Sequence, residues 1–66
     1  MKNNLRVARA IANKTQADLA NETGVSRQTI NAVEAGKYVP STVLALKMSK
    51  VLNKSMEELF ELEEGD

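Results

Sequence analysis

Apolar positions recur along this chain at three- and four-residue spacing, in short blocks that open on a helix-capping residue. Leu5, Ala8, Ile11 and Ala12 predict a first helix, opened by Asn3 or Asn4 and running to about Asn13. Ala17, Leu19 and Ala20 predict a second, with Thr15 as its N-cap and Asp18 three residues on, a capping-box arrangement. Gly24 can take the positive φ that ends this helix, and Val25 can fill the gap under the turn. Ser26 then caps a third helix, Arg27 to Ala35, whose apolar face is Ile30 and Val33 and which stops before Gly36. Pro40 pushes Val39 towards extended geometry, and Ser41 opens a fourth helix to about Asn53. Its inner face is Leu44, Ala45, Met48, Val51 and Leu52. Ser55 with Glu58 forms a second capping box for a last helix, Met56 to about Glu61, carrying Met56, Leu59, Phe60 and Leu62. The tail also supports another reading, because Phe60-Glu61-Leu62-Glu63 alternates and can form a short strand beside Met1-Lys2-Asn3. The pattern is that of an all-α, compact five-helix bundle, with a terminal β-pairing left open.

Helices two and three are joined by so short a turn that they must cross steeply, as in a helix-turn-helix. At 100° per residue, Arg27, Gln28 and Asn31 share the face opposite Ile30 and Val33. Those three side-chain types can make bidentate hydrogen bonds to guanine or adenine edges in a DNA major groove. An ordinary solvated hairpin would also show polar residues there, but it does not need this set.

The joint pattern Thr15-Gln16-x-x-Leu19-Ala20, Gly24-Val25-Ser26 and Ile30-x-x-x-Glu34-x-Gly36 resembles the Xre, or lambda-repressor-like, helix-turn-helix family. The likeness spans nearly the whole chain. It implies base contacts by Arg27 and Gln28, with Asn31 and Ala32 further along. It implies backbone contacts by Gln16 and by Lys37 and the loop to Ser41. Thr29 faces more sideways and suits a phosphate or a thymine methyl. Tyr38 packs over the junction, with its hydroxyl able to reach a phosphate. The resemblance further implies a structural salt bridge between Arg9 and Glu34 and a dimer interface in the tail, at Leu59, Phe60 and Leu62. Where family members usually carry larger apolar residues, this chain has Ala8 and Lys14, and the Lys14 stem can lie over apolar surface.

Sixty-six residues make a single domain, here a helix-turn-helix unit over 1–66 with a C-terminal dimerisation segment. A core of this size supplies only about 3–5 kcal/mol, so pairing with a second copy would help. Net charge is zero, but it is unevenly distributed. Residues 1–37 hold six basic and three acidic groups, and residues 38–66 hold three basic and six acidic. One end can therefore face phosphate while the other is repelled. Lys47, Lys50 and Lys54 lie towards the end of the fourth helix and read as a solvated face.

With no histidine, cysteine or phosphate loop, an enzyme is not expected, nor a metal or other cofactor. No apolar run reaches membrane-spanning length and no signal-peptide pattern appears, so a cytoplasmic protein is expected. The expected partners are double-stranded DNA and a second copy of the chain. A protein partner, such as the toxin of a toxin–antitoxin pair, stays open.

Overall fold

Four of the five helices begin on a Ser or Thr whose side chain accepts a hydrogen bond from the amide three residues on. In the computed structural model, which describes residues 1–66, these caps are Thr15, Ser26, Ser41 and Ser55. At Thr15 and Ser55 the bond is reciprocated by Asp18 and Glu58, closing both capping boxes. The elements that follow are α1 (Leu5–Ile11), α2 (Gln16–Thr23), α3 (Arg27–Glu34), α4 (Thr42–Leu52) and α5 (Met56–Leu59). A two-stranded antiparallel pair, β1 (Lys2–Asn3) and β2 (Phe60–Glu61), ties the two ends of the chain together.

The turn between α2 and α3 is made as its sequence demands. Gly24 adopts φ 77°, and its amide and that of Val25 both donate to the Ala20 carbonyl, at 2.9 and 3.0 Å. Val25 then packs, half-buried, against the core. That core joins Leu5 and Ala8 of α1, Leu19 and Ala20 of α2, Ile30 and Val33 of α3, Leu44, Met48 and Leu52 of α4, and Leu59 of α5. Thr23 is the one polar residue buried backbone and side chain together, and its hydroxyl donates to the Leu19 carbonyl at 2.7 Å within its own helix.

Three expected apolar placements are corrected. Ile11 is 68% exposed. It stands about 120° around the helix from Leu5, beyond the Leu5–Ala8–Ala12 stripe that faces inward. Asn13 at φ 57° also ends the helical path before a further turn could bury it. Ala17 is exposed because it lies nearly opposite Leu19, and Thr23 takes its place on the inner face. Leu59, expected at a dimer interface, is only 1% exposed and belongs to the core of the single chain. It is thus absent from the surface a second copy could touch.

The tail follows the strand alternative. α5 is a single turn, since Phe60 leaves it at φ −129° and ψ 139° and enters β2. Asn3 then faces Phe60 across the pair, and the Asn4 amide donates to the Leu59 carbonyl at 2.8 Å. Asn4 occupies the N-cap position of α1 without a side-chain cap, while Asn3 Oδ1 accepts from the Leu5 amide at 3.2 Å. Lys14 lies half-buried along its stem and its amine is held by both Glu22 oxygens, at 2.8 and 2.9 Å. Lys47, expected in the solvated face, reaches the Thr23 carbonyl at 3.5 Å, near the C-terminus of α2. No helix is long and apolar enough to cross a membrane.

Candidate nucleic-acid interface

α3 is polar on one side and buried on the other. Its Ser26 cap leaves Arg27 and Gln28 in the first turn, both exposed, with Asn31 exposed one turn on. Gln16, at the start of α2, joins these three to line one shallow open groove. A second groove beside it is lined by Ser26, Gln28, Thr29, Ala32 and Tyr38. Gln28 borders both, so Gln16, Arg27, Gln28, Thr29, Asn31, Ala32 and Tyr38 are brought together, while Lys37 and Ser41 line neither groove.

The residues expected at DNA differ in freedom. Arg27 and Gln28 make no side-chain hydrogen bond or ion pair within the chain, so their donors and acceptors remain available. Thr29 and Ala32 are half-buried, and the Thr29 hydroxyl lies 3.0 Å from that of Ser26. Lys37 and Ser41 are exposed on the loop after α3, and the Ser41 oxygen is already engaged as the cap of α4. Tyr38 is half exposed. One side of it borders α3 and the other a narrow crevice with Val33, Gly36 and Phe60.

Beneath the surface sits Glu34, whose side chain is 2% exposed. Arg9 grips it with two parallel bonds, Nε to Oε2 at 2.5 Å and Nη2 to Oε1 at 3.0 Å, in the bidentate geometry that favours arginine. The remaining Arg9 nitrogen donates to the Lys14 carbonyl at 3.1 Å. Gln16 Nε2 donates to Glu34 Oε1 at 3.1 Å and lies 3.3 Å from Asn31 Oδ1. Gln16, expected only as a backbone contact, therefore also ties α2 to α3. Nothing in the local sequence signals this, because the partners lie fifteen and eighteen residues away.

Burial by itself would push the Glu34 carboxyl up. The hydrogen bonds from Arg9 and Gln16, with the charges of Arg9 and Arg6, outweigh it and hold the carboxyl below the ordinary glutamate value. Asp18 and Glu58 are held low as well, each first by the backbone amide of its capping box. A carboxylate that binds protons more weakly folded than unfolded contributes stability that is complete above its unfolded pKa, about 4.3 for glutamate. That stability is lost as pH falls through the lower, folded value. Thermal melts from neutral pH downward should therefore show a loss of stability beginning near pH 4.3, about the unperturbed glutamate value. Glu34→Gln should reduce the steepness of that loss, and an unchanged acid limb in that variant would remove Glu34 from the account.

With Glu34 neutralised by Arg9, and the Asp18 and Glu22 carboxylates engaged by Thr15 and Lys14, the surface presents Arg27 and Lys37 without an opposing free carboxylate. A positively biased surface with unpaired guanidinium and amide groups on a rigid helix fits a polyanion with readable base edges.

Comparison with known proteins bears on the fold and the family. A helix-turn-helix family profile matches residues 5–59. An HTH-type transcriptional regulator of Methanocaldococcus jannaschii is 50% identical over 66 residues, covering 100% of both chains. Another, YgzD of Bacillus subtilis, is 47% identical over 64 residues and covers 97% of each. Among solved structures, the restriction-modification controller protein C.AhdI of Aeromonas hydrophila superposes with a TM-score of 0.77 at 34% identity, covering 85% of each chain. The chain belongs to the Xre, or lambda-repressor-like, family of helix-turn-helix transcriptional regulators.

Proposed function

We propose that this chain is a sequence-specific regulator of transcription that binds double-stranded DNA as a homodimer and acts as a repressor at a palindromic or near-palindromic operator. The observation that carries the reading is the set Arg27, Gln28 and Asn31, exposed on the outer face of a helix whose other side is fixed by Ile30, Val33 and Glu34. In the complex, α3 lies in the major groove. Arg27 and Gln28 take the first base edges, and Asn31 and Ala32 follow further along. Gln16, Thr29, Lys37, Tyr38 and Ser41 contact the sugar–phosphate backbone on either side, aided by the positive end of α2. Such a role places the protein with the DNA, in the cytoplasm.

The dimer face is Phe60 and Leu62 together with the apolar surface beside them. Val39, Pro40, Thr42, Ala45 and Met56 form a groove with Phe60, and Val43 and Leu46 stand exposed on the adjoining face of α4. Leu62, at 78% exposed, is the most exposed large apolar residue of the chain. An apolar patch of this kind on so small a chain is accounted for by a second copy. For both copies to enter successive major grooves, the two α3 helices must stand about 34–36 Å apart, one DNA turn. A repressor is favoured over an activator because a chain of 66 residues has little surface to spare beyond DNA contact and dimerisation.

Selection of bound duplexes from random DNA tests the proposal directly. The expected result is a two-fold symmetric consensus with half-sites about one helical turn apart. Absence of any enriched sequence would remove sequence-specific binding from the account, and an enriched single half-site would remove the dimer alone.

A further inference from the structure

We propose that Asn3 is a positioning residue that transmits the geometry of the dimer face to the DNA-reading helix. This rests on the reading that α3 enters DNA and that Phe60 lies in the dimer contact. Asn3 sits where three elements meet. Its Nδ2 donates to the Val33 carbonyl at 2.8 Å and the Glu34 carbonyl at 3.4 Å, both in the last turn of α3. Its Oδ1 accepts from the Leu5 amide at the start of α1, and its backbone is paired with Phe60 in β2.

Helix C-termini leave carbonyls without partners. In α3 the Asn31, Ala32 and Val33 carbonyls are satisfied by the amides of Ala35, Lys37 and Gly36. The Glu34 carbonyl has Asn3 as its donor. The far end of α3 is thus tied to the terminal strand pair through Asn3, in addition to the hold of Arg9 on the Glu34 side chain. Phe60, the partner of Asn3 in that pair, lines both the apolar groove of the proposed dimer face and the narrow crevice that contains Asn3, Val33 and Gly36. A displacement of Phe60 on dimerisation is passed through Asn3 to the end of α3. The base-reading end, Arg27 and Gln28, lies at the opposite end of that helix.

Few residues can do this. Asn offers a donor for the α3 carbonyls and an acceptor for the α1 amide at once. Asp keeps the acceptor, but sets a carboxylate against two carbonyls at the negative end of α3. Asn3→Asp therefore severs the α3 link while leaving the α1 cap in place, and Asn3→Ala removes both.

The consequence is read in half-site spacing. Two rigidly placed reading helices accept one spacing, whereas helices that have lost the tie to the terminal strand pair accept neighbours of it. The test compares the parent's selected operator with versions carrying one base pair added or removed at the centre. The parent should discriminate by about tenfold, the size of a single base-pair error. Asn3→Asp and Asn3→Ala should discriminate by about twofold or less, with base preference inside each half-site retained. Thr23→Ala, a buried change on α2 away from this path, serves as the destabilised control and should keep the parent's spacing preference.

A second arm needs no DNA. Dilution from dimer to monomer should shift the amide resonances of Phe60, Gly36 and Lys37 in the parent, but only that of Phe60 in Asn3→Asp. Unchanged spacing preference in both Asn3 variants, or equal relaxation in Thr23→Ala, would overturn the inference. If the parent selects no DNA site, the DNA reading fails and the dilution arm decides the link. Identical shifts in parent and variant, or a parent that is monomeric throughout, would overturn it.

Discussion

Arg9→Ala is expected to lower the stability of the fold by about 3–5 kcal/mol, the cost of leaving a buried charge without its partner. The pair is asymmetric, with Arg9 14% and Glu34 2% exposed, so deleting the arginine strands the more deeply buried member. Arg6 cannot substitute, because its Nε is 3.9 Å from Glu34 and its side chain extends into solvent. The Lys14 carbonyl would lose its donor in the same step. Since a core of this size supplies only about 3–5 kcal/mol in total, the variant should be largely unfolded unless dimerisation or DNA compensates. Urea melts followed by circular dichroism measure the loss. Arg9→Met combined with Glu34→Leu should recover most of it, because a well-packed apolar pair avoids the desolvation that the ion pair must overcome. A single-variant loss of under about 0.5 kcal/mol would instead match an exposed pair of no structural weight.

The same pair marks how far the sequence carries. Helix starts are legible because a cap is local chemistry. A Ser or Thr oxygen and an amide three residues on are brought together by the backbone itself, so Thr15, Ser26, Ser41 and Ser55 all cap where expected. The turn at Gly24 is legible for the same reason. Periodicity gives the direction of an apolar stripe but not its edges, and so Ile11 and Ala17 lie outside the core although each falls near the repeat. Leu59 shows a different limit. An excess of apolar residues in a short tail points equally to an outer contact and to an inner one, and α5 turns Leu59 inward. Alternation in the tail carries the strand as a rival to the helix, and only the pairing with Lys2 and Asn3, nearly sixty residues away, decides between them. The Arg9–Glu34 bond was accessible through family resemblance alone, and the bonds from Gln16 and Asn3 to α3 had no signal at all. Each joins residues whose proximity is created by the fold.

That division bears on the proposed reading surface, where the residue types are plain from sequence and their fixity is not. Gln28→Ala or Arg27→Ala should each weaken operator binding by about 1–3 kcal/mol and relax the preference at one base pair per half-site. Both side chains are exposed and unpaired in the free protein, so truncation should remove the proposed contact with DNA and little else. Melting temperatures should stay at the parent value, which separates these variants from Arg9→Ala. Asn31 is a less clean test, because Gln16 already lies 3.3 Å from its Oδ1 and its loss would also loosen the contact between α2 and α3. Lys37 provides the contrast. On the proposed reading Lys37 meets phosphate and reads no base, so Lys37→Ala should weaken binding to every duplex alike and reduce the salt slope by about one. Binding isotherms on the selected operator and its single-base variants, repeated across salt, distinguish the two patterns. If Gln28→Ala bound every variant as the parent does, the first turn of α3 would not be the part that reads DNA, and base readout would have to shift along the helix towards Asn31 and Ala32.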